Sequence, residues 1–127
     1  MRILLDTHVV LWMATDSEKL HKKIRSLISD DEVQKFVSIS SAWEVTIKIG
    51  HRKFGFIGEV DDFYNVLDVN GLKILNVEKE YLDMITKIKK YHKDPFDHMI
   101  IATAIAEDMT LITADKNIHR YDVNWIW

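Results

Sequence analysis

Short apolar runs alternate along this chain with longer stretches in which apolar residues recur at helical spacing. Arg2 to Leu5 (RILL) predicts a buried strand, stopped at Asp6-Thr7, where a first helix begins with HVVLWMAT. Glu18 to Asp30 is the clearest amphipathic helix, with Leu20, Ile24, Leu27 and Ile28 at i, i+4, i+7 and i+8. Lys35 to Ile39 (KFVSI) reads as a second strand. Ser41 then opens a helix running to about Gly50, a residue suited to ending one. Beyond the basic, aromatic loop HRKFGFIG a helix is expected over Val60 to Val69 and a third strand over Leu72 to Leu75 (LKIL). Glu78 to Tyr91 follows as a helix with Leu82, Ile85 and Ile88 on one face. Asp94-Pro95 breaks the chain before the nearly all-apolar helix HMIIATAIAE. Thr110 to Thr113 (TLIT) is a fourth strand, and the terminal WIW a short fifth.

Uninterrupted apolar strands separated by helices are the pattern of a sheet covered on both faces. The expected fold is therefore α/β: a central, mostly parallel sheet of four to five strands with helices on both faces. In such sheets ligands bind beyond the carboxyl ends of the strands. One Pro and four Gly leave no linker composition, and no repeats occur, so residues 1–127 are expected to form a single domain.

Composition narrows the chemistry. Apolar residues at 47% and charged residues at 29% are ordinary for a globular protein. With no Cys, disulfides, thiolate metal sites and a Cys nucleophile are all excluded. Seventeen basic and 20 acidic residues give a net charge of −3, so contact with nucleic acid must come from a local patch. The amino terminus carries Asp6 inside its apolar run and lacks a cleavage-site pattern. No run reaches the roughly 18 apolar residues that span a bilayer, so a cytoplasmic protein with no membrane partner is expected. The six His residues include no His-x-x-x-His pair, which argues against zinc, and no Ser-His-Asp arrangement stands out.

Four carboxylates fall at strand ends or helix starts: Asp6 after the first strand, Glu44 in the first turn after the second, Asp97 in the turn after Asp94-Pro95, and Asp115 after the fourth strand. Each has a structural explanation. Asp6 or Thr7 could cap a helix, Ser41 and Glu44 have capping-box spacing, Asp94 could cap with Pro95 at the first position, and Asp115 could belong to a turn. Together they are harder to explain. Two carboxylates about 4 Å apart repel by about 4 kcal/mol at an effective dielectric near 20, against about 1 kcal/mol from a cap. Converging acids therefore call for protons or a cation, and oxygen ligands without Cys suit Mg²⁺ or Mn²⁺.

In order, LLDTHVVLW, SAWEVTIKIG, HKDPFDHMIIATAIAE and LITADKNIHRYDV resemble the PIN domain of VapC-type toxins, in the subgroup whose third motif reads Asp-Pro-Phe-Asp. The resemblance runs from Arg2 to Trp127. It implies a PIN-like three-layer sandwich and a Mg²⁺- or Mn²⁺-dependent ribonuclease, usually the toxin of a type II toxin–antitoxin pair. It assigns catalytic roles to Asp6, Glu44, Asp97 and Asp115. Asp6, Asp97 and Asp115 would hold the metal while Glu44 ligates or orients water, and the products would carry a 5′-phosphate and a 3′-hydroxyl. Thr7, Asp94, His98, Thr113, Arg52 and Lys53 are candidates for support of the acids or contact with substrate. His98 departs from the subgroup, which usually has Arg there; imidazole can replace part of that residue's contacts. The implied partners are RNA, a cognate antitoxin and a second copy of the chain.

His8 adjoins the acids and is a further candidate for substrate contact. His51, Arg52 and Lys53 beside Phe54 and Phe56 suit a platform for single-stranded RNA, a groove for a partner peptide, or a solvated turn with both Phe rings in the core. Lys116, His119 and Arg120 form a small basic cluster near the fourth acid, and Trp12, Trp43, Trp125 and Trp127 are expected in the core or an interface. The alternative function is a non-catalytic PIN-fold module that binds RNA or protein. A phospho-acceptor receiver domain is disfavoured, because the LKIL and TLIT strands do not end in the required Asp and Lys.

Overall fold

The computed structural model describes residues 1–127, the side chain of Arg52 excepted. Its strands are β1 (Arg2–Leu5), β2 (Gln34–Ser38), β3 (Lys73–Leu75), β4 (Thr110–Ile112) and β5 (Trp125–Ile126). They form one sheet in the order β3-β2-β1-β4-β5, and every pairing is parallel. The central strand is the most apolar: Ile3, Leu4 and Leu5 are fully buried. Each contributes about 2 kcal/mol by leaving water.

Alternation along β1 divides the core. Ile3 and Leu5 pack with residues of α1 (Thr7–Ala14), α2 (Lys22–Ile28), α3 (Ile39–Lys48) and α4 (Val60–Val69). Leu4 faces the other way, against Ile100, Ile101 and Ala104 of α6 (Pro95–Ala106). The remaining helix, α5 (Lys79–Lys87), packs on α6. The expected three layers are present. The sheet is wholly rather than mostly parallel.

Several local expectations are corrected. α2 starts at Lys22 rather than Glu18. The preceding turn is held by Arg25, which donates to the Leu20 carbonyl, the Ser17 carbonyl and Asp16 Oδ1 at 2.8, 2.8 and 2.7 Å. α3 starts at Ile39, capped by Ser38, whose Oγ accepts from the Ser40 N–H at 3.1 Å. Ser41 is therefore inside the helix, and Glu44 lies in its second turn rather than its first. α5 ends at Lys87 and turns Tyr81 inward, its hydroxyl donating to Glu107 Oε1 at 2.8 Å. Leu82 consequently faces solvent. Trp43 is 63% exposed and Trp125 is 40% exposed, so neither is a core residue.

Candidate active site

Parallel pairing brings the carboxyl ends of β2, β1 and β4 to one edge, and the chain leaves each strand there carrying polar side chains. Asp6 follows β1, its N–H donating to the Ile112 carbonyl at 3.0 Å. It occupies the N-cap position of α1, yet its side chain makes no capping hydrogen bond. Instead its Oδ2 accepts from Thr113 Oγ1 at 2.8 Å. Thr113 follows β4, and the same hydroxyl accepts from the Asp115 N–H at 3.1 Å. One hydroxyl thus ties the first acid to the backbone of the fourth.

Glu44 is buried in α3, with Lys48 Nζ 2.6 Å from its Oε2. The Lys48 ammonium also sits 5.6 and 5.7 Å from the ring centres of Phe54 and Phe96. Asp94 caps α6 as the sequence suggests, its Oδ1 accepting from the N–H groups of Phe96 and Asp97 at 2.9 and 3.2 Å. Asp97 is buried beside it, with its Oδ2 2.7 Å from His92 Nε2. The tautomer of His92 follows from its other contact. Tyr121 oxygen accepts from the Tyr91 N–H at 3.0 Å, so its own hydroxyl proton is free to donate to His92 Nδ1 at 2.7 Å. That leaves Nε2–H to donate to Asp97.

The electrostatics tie these groups into one cluster. Burial pushes the Asp6 carboxyl up; the Thr113 hydrogen bond and His8 oppose this, while Asp115 and Glu44 add to it. Burial likewise raises Asp97 to about 7, against the His92 hydrogen bond and helped by Asp94, Asp6 and Asp115. Burial acts to lower Lys48, but Glu44, Asp94 and Asp97 outweigh it and hold the ammonium above its usual range. Asp6 before α1, Glu44 in α3, Asp94 and Asp97 at the start of α6 and Asp115 after β4 are therefore electrostatically linked.

As the side chains stand, no three His, Asp or Glu among the described residues are gathered closely enough to hold an ion. Glu44 and Asp97 are paired with Lys48 and His92 instead. The donor set nevertheless fits a hard divalent cation: its side chains are oxygen donors, and two of its carboxyls are raised, by burial first and then by neighbouring carboxylates.

The other candidates separate clearly. Thr7 is buried, its hydroxyl donating to Ser41 Oγ at 2.8 Å, and so ties α1 to α3. His98 is buried too, its Nε2 2.8 Å from the His92 carbonyl, and so braces the loop before α6. Phe54 and Phe56 are in the core. Lys53 is exposed in a cleft that it shares with His8. The Arg52 side chain lies outside the described residues. His119 braces the site from below, its Nε2 2.8 Å from the Thr113 carbonyl and its ring stacked 3.6 Å from Trp125.

Sequence reasoning missed Lys48, His92 and Tyr121. The first had a signal, since Lys48 stands four residues after Glu44 on one helix. The other two meet only through the tertiary fold.

A chain with this doubly covered parallel sheet and an acidic edge matches the PIN domain family over residues 3–124, and it belongs to that family. PIN domains are generally nucleases. No curated protein matches the sequence. Among solved structures, VapBC2 from Rickettsia felis bound to a DNA fragment from their promoter is similar, with a TM-score of 0.72 at 17% identity, over 99% of this chain and 98% of that one. VapBC-1 from nontypeable Haemophilus influenzae has a TM-score of 0.68 at 14% identity, over 99% and 97%. A toxin–antitoxin complex from Klebsiella pneumoniae has a TM-score of 0.61 at 17% identity, over 91% and 88%. At such identities the likeness is one of fold.

Proposed function

We propose that this chain is a metal-dependent endoribonuclease, the cytoplasmic toxin of a type II toxin–antitoxin pair, which hydrolyses RNA phosphodiesters with water. The observation that carries the reading is the pair Asp6 and Asp97, two buried acids at the starts of different helices whose carboxyls are both raised, by burial first and, for Asp97, also by Asp6. Such a pair is costly to fold unless protons or a cation neutralise it. Asp6, Asp97 and Asp115 would hold Mg²⁺ or Mn²⁺, and Glu44 would orient water. When bound, the ion supplies a lowered pKa for water and charge stabilisation for the phosphoryl oxygens. The chain's own contribution is positioning. Thr113 fixes the Asp6 carboxylate against the loop bearing Asp115, and His92 holds one oxygen of Asp97 so that the other is turned elsewhere.

The toxin reading rests on the neighbours, one of which is a toxin–antitoxin complex. An Arg of the antitoxin, binding carboxylates bidentately, suits the acidic edge better than Lys does. The internal pairing of Glu44 and Asp97 favours a second reading, a non-catalytic module that binds RNA or protein.

The experiment is cleavage of single-stranded RNA with Mg²⁺ or Mn²⁺, with EDTA, and with Asp6→Asn. Cleavage is expected only with metal and the intact acid, together with a metal-dependent rise in melting temperature. An unchanged melting temperature and no cleavage would establish the module. A variant that unfolds yet cleaves normally per folded molecule would make Asp6 structural.

A further inference from the structure

Beside the acidic edge lies a cleft of about 380 Å³ with the opposite character. Its lining includes His8, Trp12, Ser17, Lys19, Lys53 and Phe54, and no carboxylate is among its described lining residues. In a chain of net charge −3 this is a local cationic exception. The Lys19 ammonium stands 5.6 Å from the Trp12 ring centre. The His8 ring lies 6.3 Å from Trp12 and 5.9 Å from Phe54. Trp12 is backed by Trp127 at 5.5 Å, so the indole is a supported surface rather than a loose side chain. His8 follows Asp6 by two residues, and its charge bears on that carboxylate. The cleft therefore opens within one helical turn of Asp6.

We infer that this cleft seats one unpaired nucleotide of an RNA strand, next to the nucleotide whose phosphodiester lies at the acids. The inference deepens the nuclease reading and rests on it for the identity of the strand. A base would stack against Trp12 and His8, and the flanking phosphates would pair with Lys19 and Lys53. A volume near 380 Å³ suits a single small-molecule moiety, at the low end of the roughly 300–1,000 Å³ usual for such sites. Aromatic faces accept any base, while bases stacked within a duplex cannot reach them. The site thus selects single strands and carries little sequence preference of its own. An apolar peptide would leave the two ammonium groups without partners, so the lining favours a polyanion.

The test is fluorescence anisotropy with 5′-fluorescein hexauridylate in EDTA, where nothing is cleaved, beside an RNA duplex of equal length. Lys19→Ala and Lys53→Ala alter exposed residues and should each weaken hexauridylate binding several-fold. Each should also reduce the slope of log affinity against log salt by about 0.7. Trp12→Leu should weaken binding about tenfold with the slope unchanged. RNA should quench tryptophan fluorescence in the wild type and much less in Trp12→Phe, which keeps the packing on Trp127. Unchanged affinity and slope in both lysine variants overturn the inference; if the same variants release a protein partner, the cleft is a peptide groove. Preference for the duplex also overturns it. The two readings fail separately. Cleavage without any response of the cleft variants sinks the cleft alone, whereas responsive binding without metal-dependent cleavage sinks the nuclease and leaves the cleft.

Discussion

In metal-free buffer the folded chain is expected to lose stability as pH rises towards neutrality, with Asp97 as a principal cause. Its carboxyl is pushed up to about 7 from 3.8, by burial first and then by Asp94, Asp6 and Asp115, while the His92 hydrogen bond pulls the other way. The folded state therefore keeps a proton that the unfolded chain has released. Stability from this group is full below about pH 4 and is lost as pH rises to about 7. The ceiling for such a shift is about 4 kcal/mol. The side chain remains 12% exposed, and screening there makes about 2 kcal/mol the better figure. For a domain this size that is about 8 °C in melting temperature.

Asp97→Asn isolates the effect, because it keeps the shape and removes the titration. Thermal melts by circular dichroism, in EDTA from pH 4.5 to 8, should show the variant level with or below wild type at the acid end. At pH 7.5 it should melt up to about 8 °C higher. Asp6, raised in the same direction, contributes to both proteins, so the difference between them is the readout. Mg²⁺ at a hundred times its dissociation constant should then return about 2.7 kcal/mol to wild type at pH 7.5 and little to the variant. A difference that stays flat across the pH range would refute the reasoning, since Asp97 would then titrate alike in both states.

Three further outcomes follow from particular contacts. Thr113→Val removes the donor to Asp6 and the acceptor of the Asp115 N–H, and should cost about 1–3 kcal/mol in urea unfolding along with most cleavage; an unchanged midpoint would show that water replaces the hydroxyl. Lys48→Met strands the buried Glu44 and should cost about 1 kcal/mol, discounted for the half-exposed amine, and Glu44→Gln on top should recover most of it. Additive losses in that cycle would mean that the two residues do not act as a pair. Replacing each Arg and Lys of the cognate antitoxin with Ala should identify one whose loss restores cleavage; full inhibition by all of them would point to occlusion or oligomer disruption instead.

The legible parts of the fold are those governed by neighbours in sequence. β1 and α4 have the expected bounds, Arg2–Leu5 and Val60–Val69. The first is an apolar run stopped by Asp6. The second is bracketed by Asp62, whose Oδ2 accepts from the Glu59 N–H at 2.7 Å, and by Gly71 at φ 66. The sequence places the start of α2 too early because its apolar spacing continues back to Leu20, whereas Arg25 reaches back over the same residues and holds them as a turn. The start of α3 is ambiguous in the sequence because Ser38, Ser40 and Ser41 all have the side chain of a cap. Only the register of β2 decides that Ser38 is the one left extended at the strand end. Ile85 of α5 and Ile88 just past its end are half-buried as expected, but Tyr81 takes the inward place expected of Leu82, since it finds a partner in Glu107, far away in sequence.

The same distinction explains the site. The placement of Asp6 and Asp115 at one sheet edge is legible because β1 and β4 are parallel neighbours whose carboxyl ends lie together. The partners of Asp97 and Glu44 are not, because His92, Tyr121 and Lys48 act through side-chain reach. The structure also resolves the competition between capping and chemistry. At each helix start the capping is done by a residue other than the candidate acid, or not at all. Asp94 caps α6, so Asp97 is not used as a cap and meets His92 instead; Ser38 caps α3 and leaves Glu44 to the second turn. Asp6 sits at the N-cap position of α1 without using its carboxylate there. A carboxylate that caps is stabilised by the N–H groups it accepts, and its pKa falls. Two of these acids instead lie above the ordinary range. Local folding thus accounts for Asp94 but leaves Asp6 and Asp97 as buried charges in excess, and a divalent cation is the ligand that would bring them into balance.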